Sequence, residues 1–280
     1  MKKETETKTM RPELIEMIRR HAFGLDENRP DAVAKRQKKN QRTARANVED
    51  LCDAGSFIEY GALAIAAQRG RRSEEDLISK TPADGMIAGV GPVNGSFFAE
   101  GADKAAKLMQ ICQAHGLPIL SLCDTPGFMV GPEIEKRAQV RHVCRMFVIG
   151  SHLTVPYFTV VLRRGYGLGA MAMTKGGFHE SFFTAAWPTG EFGAMGIEGA
   201  IKAGFKKELA AIEDPAQREK LYEQLVGELY KRGKAINMAS YLEIDSVIDP
   251  ADTRKWIMQG IKSVPVQQSS GVGHNFIDPW

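Results

Sequence analysis

No stretch of the 280-residue sequence approaches the ~18 uninterrupted apolar residues that a membrane-spanning helix requires. The four cysteines, Cys52, Cys112, Cys123 and Cys144, lie far apart and form no CxxC, which excludes a zinc ribbon and a disulfide scaffold. No GxSxG elbow, HExxH helix or GKS/GKT phosphate loop occurs, and the six histidines show no metal spacing. The net charge of +3 is too small to argue for nucleic acid. The first ten residues, MKKETETKTM, mix both signs of charge, which disfavours signal and transit peptides. These absences predict a cytoplasmic protein with no membrane, nucleic-acid or metal partner.

Apolar residues make up 43% and charged residues 25%, enough for one large domain, or one domain carrying a long arm. Residues 11–52 are charged and read as helical, with Leu14, Ile15 and Ile18, then Ala44, Val48 and Leu51, at helical spacing. Within 29–45, seven Lys/Arg face the single acid Asp31, which is either a solvated helix face or a contact for a polyanion. Residues 56–65 suit an edge strand. Apolar runs flanking Asn94-Gly95 suit a hairpin.

Beyond residue 101 strands and helices alternate. A helix over 102–115 ends at Gly116, with Ala106, Leu108, Met109, Ile111 and Cys112 inward, and the apolar run 117–123 suits a strand buried on both faces. A helix over 133–150, a strand over 157–162, a small-residue helix ending at Met173 and a strand over 182–187 follow. The sequence PTGEFGAMG reads as a loop, 208–262 as a helical tail, and 264–280 as loosely ordered. This alternation implies a mainly parallel sheet with reactive loops at the carboxyl ends of its strands.

Two of those loops are candidates for chemistry. Asp124-Thr125-Pro126-Gly127-Phe128-Met129-Val130-Gly131 follows a buried strand, and its glycines and proline permit a tight turn. It is either an ordinary strand-to-helix loop or a place where main-chain N–H groups meet a ligand. The second, Gly165-Tyr166-Gly167-Leu168-Gly169-Ala170, lacks GxGxxG spacing. Its alternating glycines serve either close helix–sheet packing or a pair of backbone donors that steady an oxyanion. Asp124 and Glu191 are carboxylates at strand ends, and the sequence does not show whether they meet.

At these residues the chain resembles a known family. GADKAAKLMQICQAHGLPILSLCDTPGFMVG, RHVCRMFVIGSHLTVPYFTVVLRRGYGLGAMAM and AAWPTGEFGAMGIEGA closely resemble, in order, the C-terminal domain of the biotin-dependent carboxyltransferases, the β-type subunits of acetyl-CoA and propionyl-CoA carboxylases. QRTARANVEDLCDAGSFIEYGALA and TPADGMIAGVGPVNG look like the start of the same family's N-terminal domain. The resemblance implies an α/β fold of the ClpP/crotonase type, a superhelix of ββα units, here with a helical N-terminal arm. It divides the chain into a truncated N-terminal segment, 1–97, and a crotonase-like unit, 98–280. Family members carry two crotonase-like domains, whereas this chain passes from Asn94-Gly95 almost directly to Gly101, as an internal deletion or a compact homologue would.

The implied activity moves a carboxyl group from carboxybiotin, borne on a carrier protein, to the α-carbon of an acyl-CoA, across a dimer interface and without a side-chain base. By matching, the amides of Leu168, Gly169 and Ala170 hold the ureido oxygen of biotin. Pro126, Gly127 and Phe128, with Gly165, Tyr166 and Gly167, shape that pocket, while Met171, Arg42 and Arg45 face the acyl-CoA. Met171 stands where propionyl-CoA-type members commonly carry an aspartate, which favours a different, bulkier acyl group. Expected partners are a biotin carboxylase or biotin carrier subunit and further copies of the chain. Two other readings stand beside this one: a degenerate subunit that binds biotin or joins a complete partner without turnover, and a CoA thioester isomerase or hydrolase using Asp124 or Glu191.

Overall fold

The computed structural model describes residues 10–65, 72–83, 86–90, 96–98, 102–128, 131–136 and 138–264. The N-terminal arm folds into three short helices, α1 (Pro12–Ala22), α2 (Pro30–Gln37) and α3 (Ala44–Leu51). Proline opens the first two, where its missing N–H costs nothing, and the Thr43 hydroxyl caps the third by accepting from the Ala46 N–H. Helix α1 buries no residue, whereas α3 sends Val48 and Leu51 into the core.

Eight strands form one sheet: β1 (Ile58–Glu59), β2 (Ala88–Val90), β3 (Ser96–Phe98), β4 (Ile119–Thr125), β5 (Tyr157–Tyr166), β6 (Phe183–Ala186), β7 (Glu191–Gly193) and β8 (Ser246–Val247). Their order is β1-β2-β3-β4-β5-β6-β8, with β7 added beside the far end of β5. The first two pairings are antiparallel and all the others parallel. The β2–β3 pairing bears out the expected hairpin, although its Asn94-Gly95 turn lies outside the described residues. Helix α4 (Glu74–Lys80) precedes that hairpin.

Parallel neighbours need crossover helices, and α5 (Ala102–His115) and α7 (Gln139–His152) supply them, packed against each other. Gly116 ends α5 at φ +66°, a left-handed position open to glycine, and the Leu117 N–H reaches back to the Cys112 carbonyl. Ile111 is only half-buried, while Ala106, Leu108, Met109 and Cys112 point inward as expected.

Three elements differ from the sequence reading. The helix expected over 133–150 is divided into α6 (Pro132–Glu135) and α7, because Ala138 adopts φ 54° and breaks the turn. Strand β5 runs on to Tyr166, well past the apolar run, because its tip pairs with β7. The strands β7 and β8 lie in stretches that read as loop and helical tail; being two or three residues long, they carry no periodicity of their own. The remaining helices are α8 (Gly167–Met173), α9 (Ile197–Gly204), α10 (Lys206–Ala210), α11 (Pro215–Arg232), α12 (Ala235–Ser240) and α13 (Thr253–Ser263). No described helix is long and apolar enough to cross a membrane.

One core cluster draws on both the N-terminal segment and the sheet. Val48, Leu51, Cys52, Met86 and Ala88 from the N-terminal side share it with Leu120, Val160, Val161, Ala185 and Ile257. Arg254 on α13 bonds the Leu51 carbonyl at 3.0 Å and the Asp53 carboxylate at 2.7 Å, joining the two ends of the chain.

At Gly260 of α13, a methyl carbon would lie 2.7 Å from the Phe158 ring and 2.9 Å from the Phe183 ring. Those rings also pack on each other at 5.1 Å between centroids, so neither has room to yield. Gly260→Ala is expected to destabilise the protein by roughly 1–3 kcal/mol through overpacking. Gly199→Ala, on the exposed face of α9 with open space around it, is expected to stabilise by about 0.4–1 kcal/mol. Urea midpoints for the two variants should move in opposite directions.

Candidate functional site

The carboxyl ends of β4 and β5 lie side by side, so the two glycine-bearing turns that leave them converge. A methyl carbon at Gly169 would stand 2.8 Å from the Gly127 Cα, 2.9 Å from its carbonyl carbon and 3.1 Å from the Phe128 nitrogen. The turns therefore touch main chain to main chain, closer than any side chain permits. Gly127 sits at φ +108°, and its N–H is donated to the Thr125 hydroxyl at 3.2 Å. Gly167 sits at φ +57°, where a methyl carbon would lie 2.7 Å from the Ala194 carbonyl oxygen. The second turn is thus held between the first turn and the segment that follows β7.

Leu168 and Gly169 occupy the second and third positions of α8, whose N–H groups have no intrahelical acceptor. No side chain caps this helix. Among the described residues, no other acceptor takes either N–H.

Charge is arranged just behind the turns. Between the pairs Cys123↔Val161 and Thr125↔Gly165, β5 gains two residues on β4. Successive side chains of a regular strand point to opposite faces, and this irregularity lets both Arg163 and Arg164 reach the same carboxylate. Asp124 accepts from Arg163 Nη2 at 2.9 Å, from Arg164 Nε at 3.1 Å and from the Arg164 N–H at 3.2 Å. Burial opposes its charged form, but the bonds and charges of the two guanidiniums outweigh that cost and hold the carboxyl below its ordinary value. Glu191 accepts from the Tyr166 hydroxyl at 3.2 Å. Asp124 and Glu191 thus each have their own partners.

The other expected residues fall as follows. Pro126 and Phe128 lie in the first turn, and Gly165, Tyr166, Gly167 and Ala170 in the second, where Tyr166 and Ala170 are buried. Leu168 is 61% exposed and Met171 36%, and Met195, one residue past the Ala194 carbonyl, is 50% exposed. Arg42 is exposed and pairs with Asp50 at 2.8 Å. Arg45 is buried, bonded to Glu59 at 2.8 Å and to the Gly24 carbonyl at 2.9 Å. The arm meets the strand ends through Gln41, whose side chain faces Arg163 at 3.5 Å.

An open depression of about 330 Å³ lies elsewhere, lined by Tyr60, Gly61, Ala64, Asp103, Lys104 and Lys107. There the Lys104 ammonium donates to the carbonyls of Gly61, Ala83 and Met86 at 3.0–3.3 Å, which is a structural tie. Sequence reasoning did not single out Arg163, Arg164 or Ala194. Two arginines directly after a buried apolar run were a visible cue for the first two, whereas nothing local marks Ala194.

Comparison with known proteins places the chain in a family. A family model described as a carboxyl transferase domain matches residues 94–269. The methylmalonyl-CoA carboxyltransferase 12S subunit of Propionibacterium freudenreichii subsp. shermanii is 31% identical over 224 residues, covering 77% of this chain and 40% of that protein. The propionyl-CoA carboxylase carboxyltransferase subunit of Haloferax mediterranei is 32% identical over 188 residues, covering 66% and 36%. A crystal structure of transcarboxylase 12S, described as a hexamer assembly with methylmalonyl-CoA bound, superposes with a TM-score of 0.62 at 27% identity, covering 78% of this chain and 41% of that one. The crotonase-like fold is thereby shown, and the chain spans at most about 40% of the length of these two curated relatives.

The Asp124 clamp makes a stability prediction. Its folded pKa lies below the unfolded value near 3.8. The carboxylate's contribution is therefore complete above that value and is lost as pH falls below it through the lower folded value. Asp124→Asn leaves two guanidiniums without their counter-charge and should cost about 2 kcal/mol at neutral pH. In urea titrations the gap between variant and wild type should narrow once the pH is well below 3.8.

Proposed function

This chain belongs to the carboxyl transferase domain family, and from that premise we propose that it is a carboxyltransferase component of a biotin-dependent acyl-CoA carboxylase. The observation that carries the reading is the pair of touching turns with the Leu168 and Gly169 N–H groups left free beside them. The fit to biotin's cyclic urea rests on donor chemistry: main-chain N–H groups stabilise a developing oxyanion and carry no proton-transfer chemistry of their own.

Carboxybiotin, when bound, would supply both the carboxyl group and the base for the acyl α-proton. Leu168 and Gly169 place donors at the ureido oxygen; the Ala170 N–H, expected as a third donor, sits at the fourth position of α8 and has the Tyr166 carbonyl as its intrahelical acceptor. Pro126, Gly127 and Phe128, with Gly165, Tyr166 and Gly167, fix the walls by backbone contact. Leu168, Met171 and Met195 present apolar surface to the acyl chain, which suits an acyl group bulkier than acetyl. Arg42 is the exposed member of the two expected CoA contacts, and Arg45 supports the arm that carries it. Asp124 and Glu191 have hydrogen-bonded partners, which favours this reading over one that uses either as a general base.

A biotin-bearing subunit, acyl-CoA and further copies of the chain are the proposed partners, and the cytoplasm is the proposed location. The proposed division into 1–97 and 98–280 follows the point where the family match sets in, near residue 94, while the core runs across it. A second reading, a subunit that binds biotin or joins a complete partner without turnover of its own, is separated from the first by the test below.

The test uses the purified chain with free biotin and methylmalonyl-CoA, following biotin-dependent loss of the carboxyl group. Wild type should turn over, and Gly169→Ala, whose methyl group displaces the donor-bearing turn from Gly127, should lower the rate by up to roughly 10²–10³-fold, the range for loss of one oxyanion donor. An unchanged circular dichroism spectrum and a cooperative urea transition would show that the variant is folded, even where the clash lowers the midpoint. Full activity in Gly169→Ala rejects the assigned pocket, and a folded wild type that turns nothing over, with or without an added biotin-carrying subunit, establishes the second reading.

A further inference from the structure

Of the six residues from Gly165 to Ala170, only Tyr166 carries a polar side chain, so only Tyr166 can tie this turn to its surroundings by a side-chain hydrogen bond. Its ring is 4% exposed, which leaves no face for a ligand. The ring edge lies against Gly193, where a methyl carbon would come within 3.4 Å of two ring atoms. The hydroxyl reaches Glu191 Oε2 at 3.2 Å, from the tip of β5 to β7.

Strand β7 is itself a fixed rail. The Phe192 N–H donates to the Gly233 carbonyl at 2.7 Å, and the Ala235 N–H donates to the Gly190 carbonyl at 2.9 Å, so both flanks of Glu191 are anchored to the chain around α12. Glu191 also bridges the backbone of Lys234. The Gly127 turn presses on the other side of the glycine turn but offers no side-chain bond to it.

We propose that Glu191 and Tyr166 are positioning residues: the phenol–carboxylate bond clips the donor-bearing turn to β7 and sets where the Leu168 and Gly169 N–H groups point. This rests on the carboxyltransferase reading for its kinetic consequence. Burial first, and the neighbouring Glu191 carboxylate second, push the Tyr166 phenol up, so it remains a donor at physiological pH. The carboxylate here acts through the tyrosine and touches no reacting atom.

The experiment compares Tyr166→Phe, Glu191→Ala, Glu191→Gln and the double variant Tyr166→Phe/Glu191→Ala in the full chain. Amide hydrogen exchange over residues 165–171, which needs no turnover, should speed up in Tyr166→Phe and Glu191→Ala and return toward wild type in Glu191→Gln, which keeps an acceptor. Biotin-dependent turnover of methylmalonyl-CoA should fall by up to ~10²-fold in kcat with KM unchanged, as misplacement of a catalytic group does. The double variant should be no worse than either single one, because both remove the same bond. Unchanged exchange in Tyr166→Phe, or additive losses in the double variant, overturns the inference. Loss of turnover in Glu191→Gln with wild-type exchange also overturns it, because Glu191 would then act on the reaction directly. Exchange that responds as expected in a wild type that turns nothing over supports the clip and rejects the carboxyltransferase reading alone.

Discussion

The site depends on two main-chain turns approaching more closely than side chains allow. Gly169 meets Gly127 and Phe128 backbone to backbone, and Gly167 meets the Ala194 carbonyl on the opposite side. A Cβ at either position would push the turns apart, and the positive φ at Gly127 and Gly167 adds a conformational demand that glycine meets without strain. Among the described residues, the Leu168 and Gly169 N–H groups in the first turn of α8 have no acceptor.

Electrostatics steady what the glycines shape. Asp124 ends the apolar part of β4 and would be costly to bury alone, yet the two extra residues in β5 bring Arg163 and Arg164 to it together. The Tyr166–Glu191 bond does comparable work on the other side, between β5 and β7. Because these ties sit at strand ends, they hold the positions from which the turns depart. Residues 126–128 and 165–170 of the turns themselves carry no charged side chain.

The N-terminal segment is physically part of this unit. Its hairpin supplies β3, the parallel neighbour of β4, and its helix α3 fills the core beside Met86 and Ala88. Arg45 shows how a basic run divides on folding. Within one short stretch Arg42 remains exposed, whereas Arg45 turns inward to Glu59 and the Gly24 carbonyl. Charge counted along a sequence does not separate the two, because only the packing of α3 decides which face is covered.

The sequence by itself determined the elements with strong local signals and the motifs that mark the family. The buried run 119–123, the helix ending at Gly116, the hairpin pairing and the small-residue helix after Tyr166 all follow from apolar period and glycine placement. Family membership followed from motifs whose order alone is informative. Tertiary structure decided the rest: the short strands β7 and β8, the break at Ala138, the convergence of Gly127 on Gly169, and the partners of Asp124 and Glu191. These are non-local. A three-residue strand exists because β5 offers it hydrogen bonds, and a carboxylate's role is set by residues some 25 to 40 positions away that only the folded sheet brings beside it.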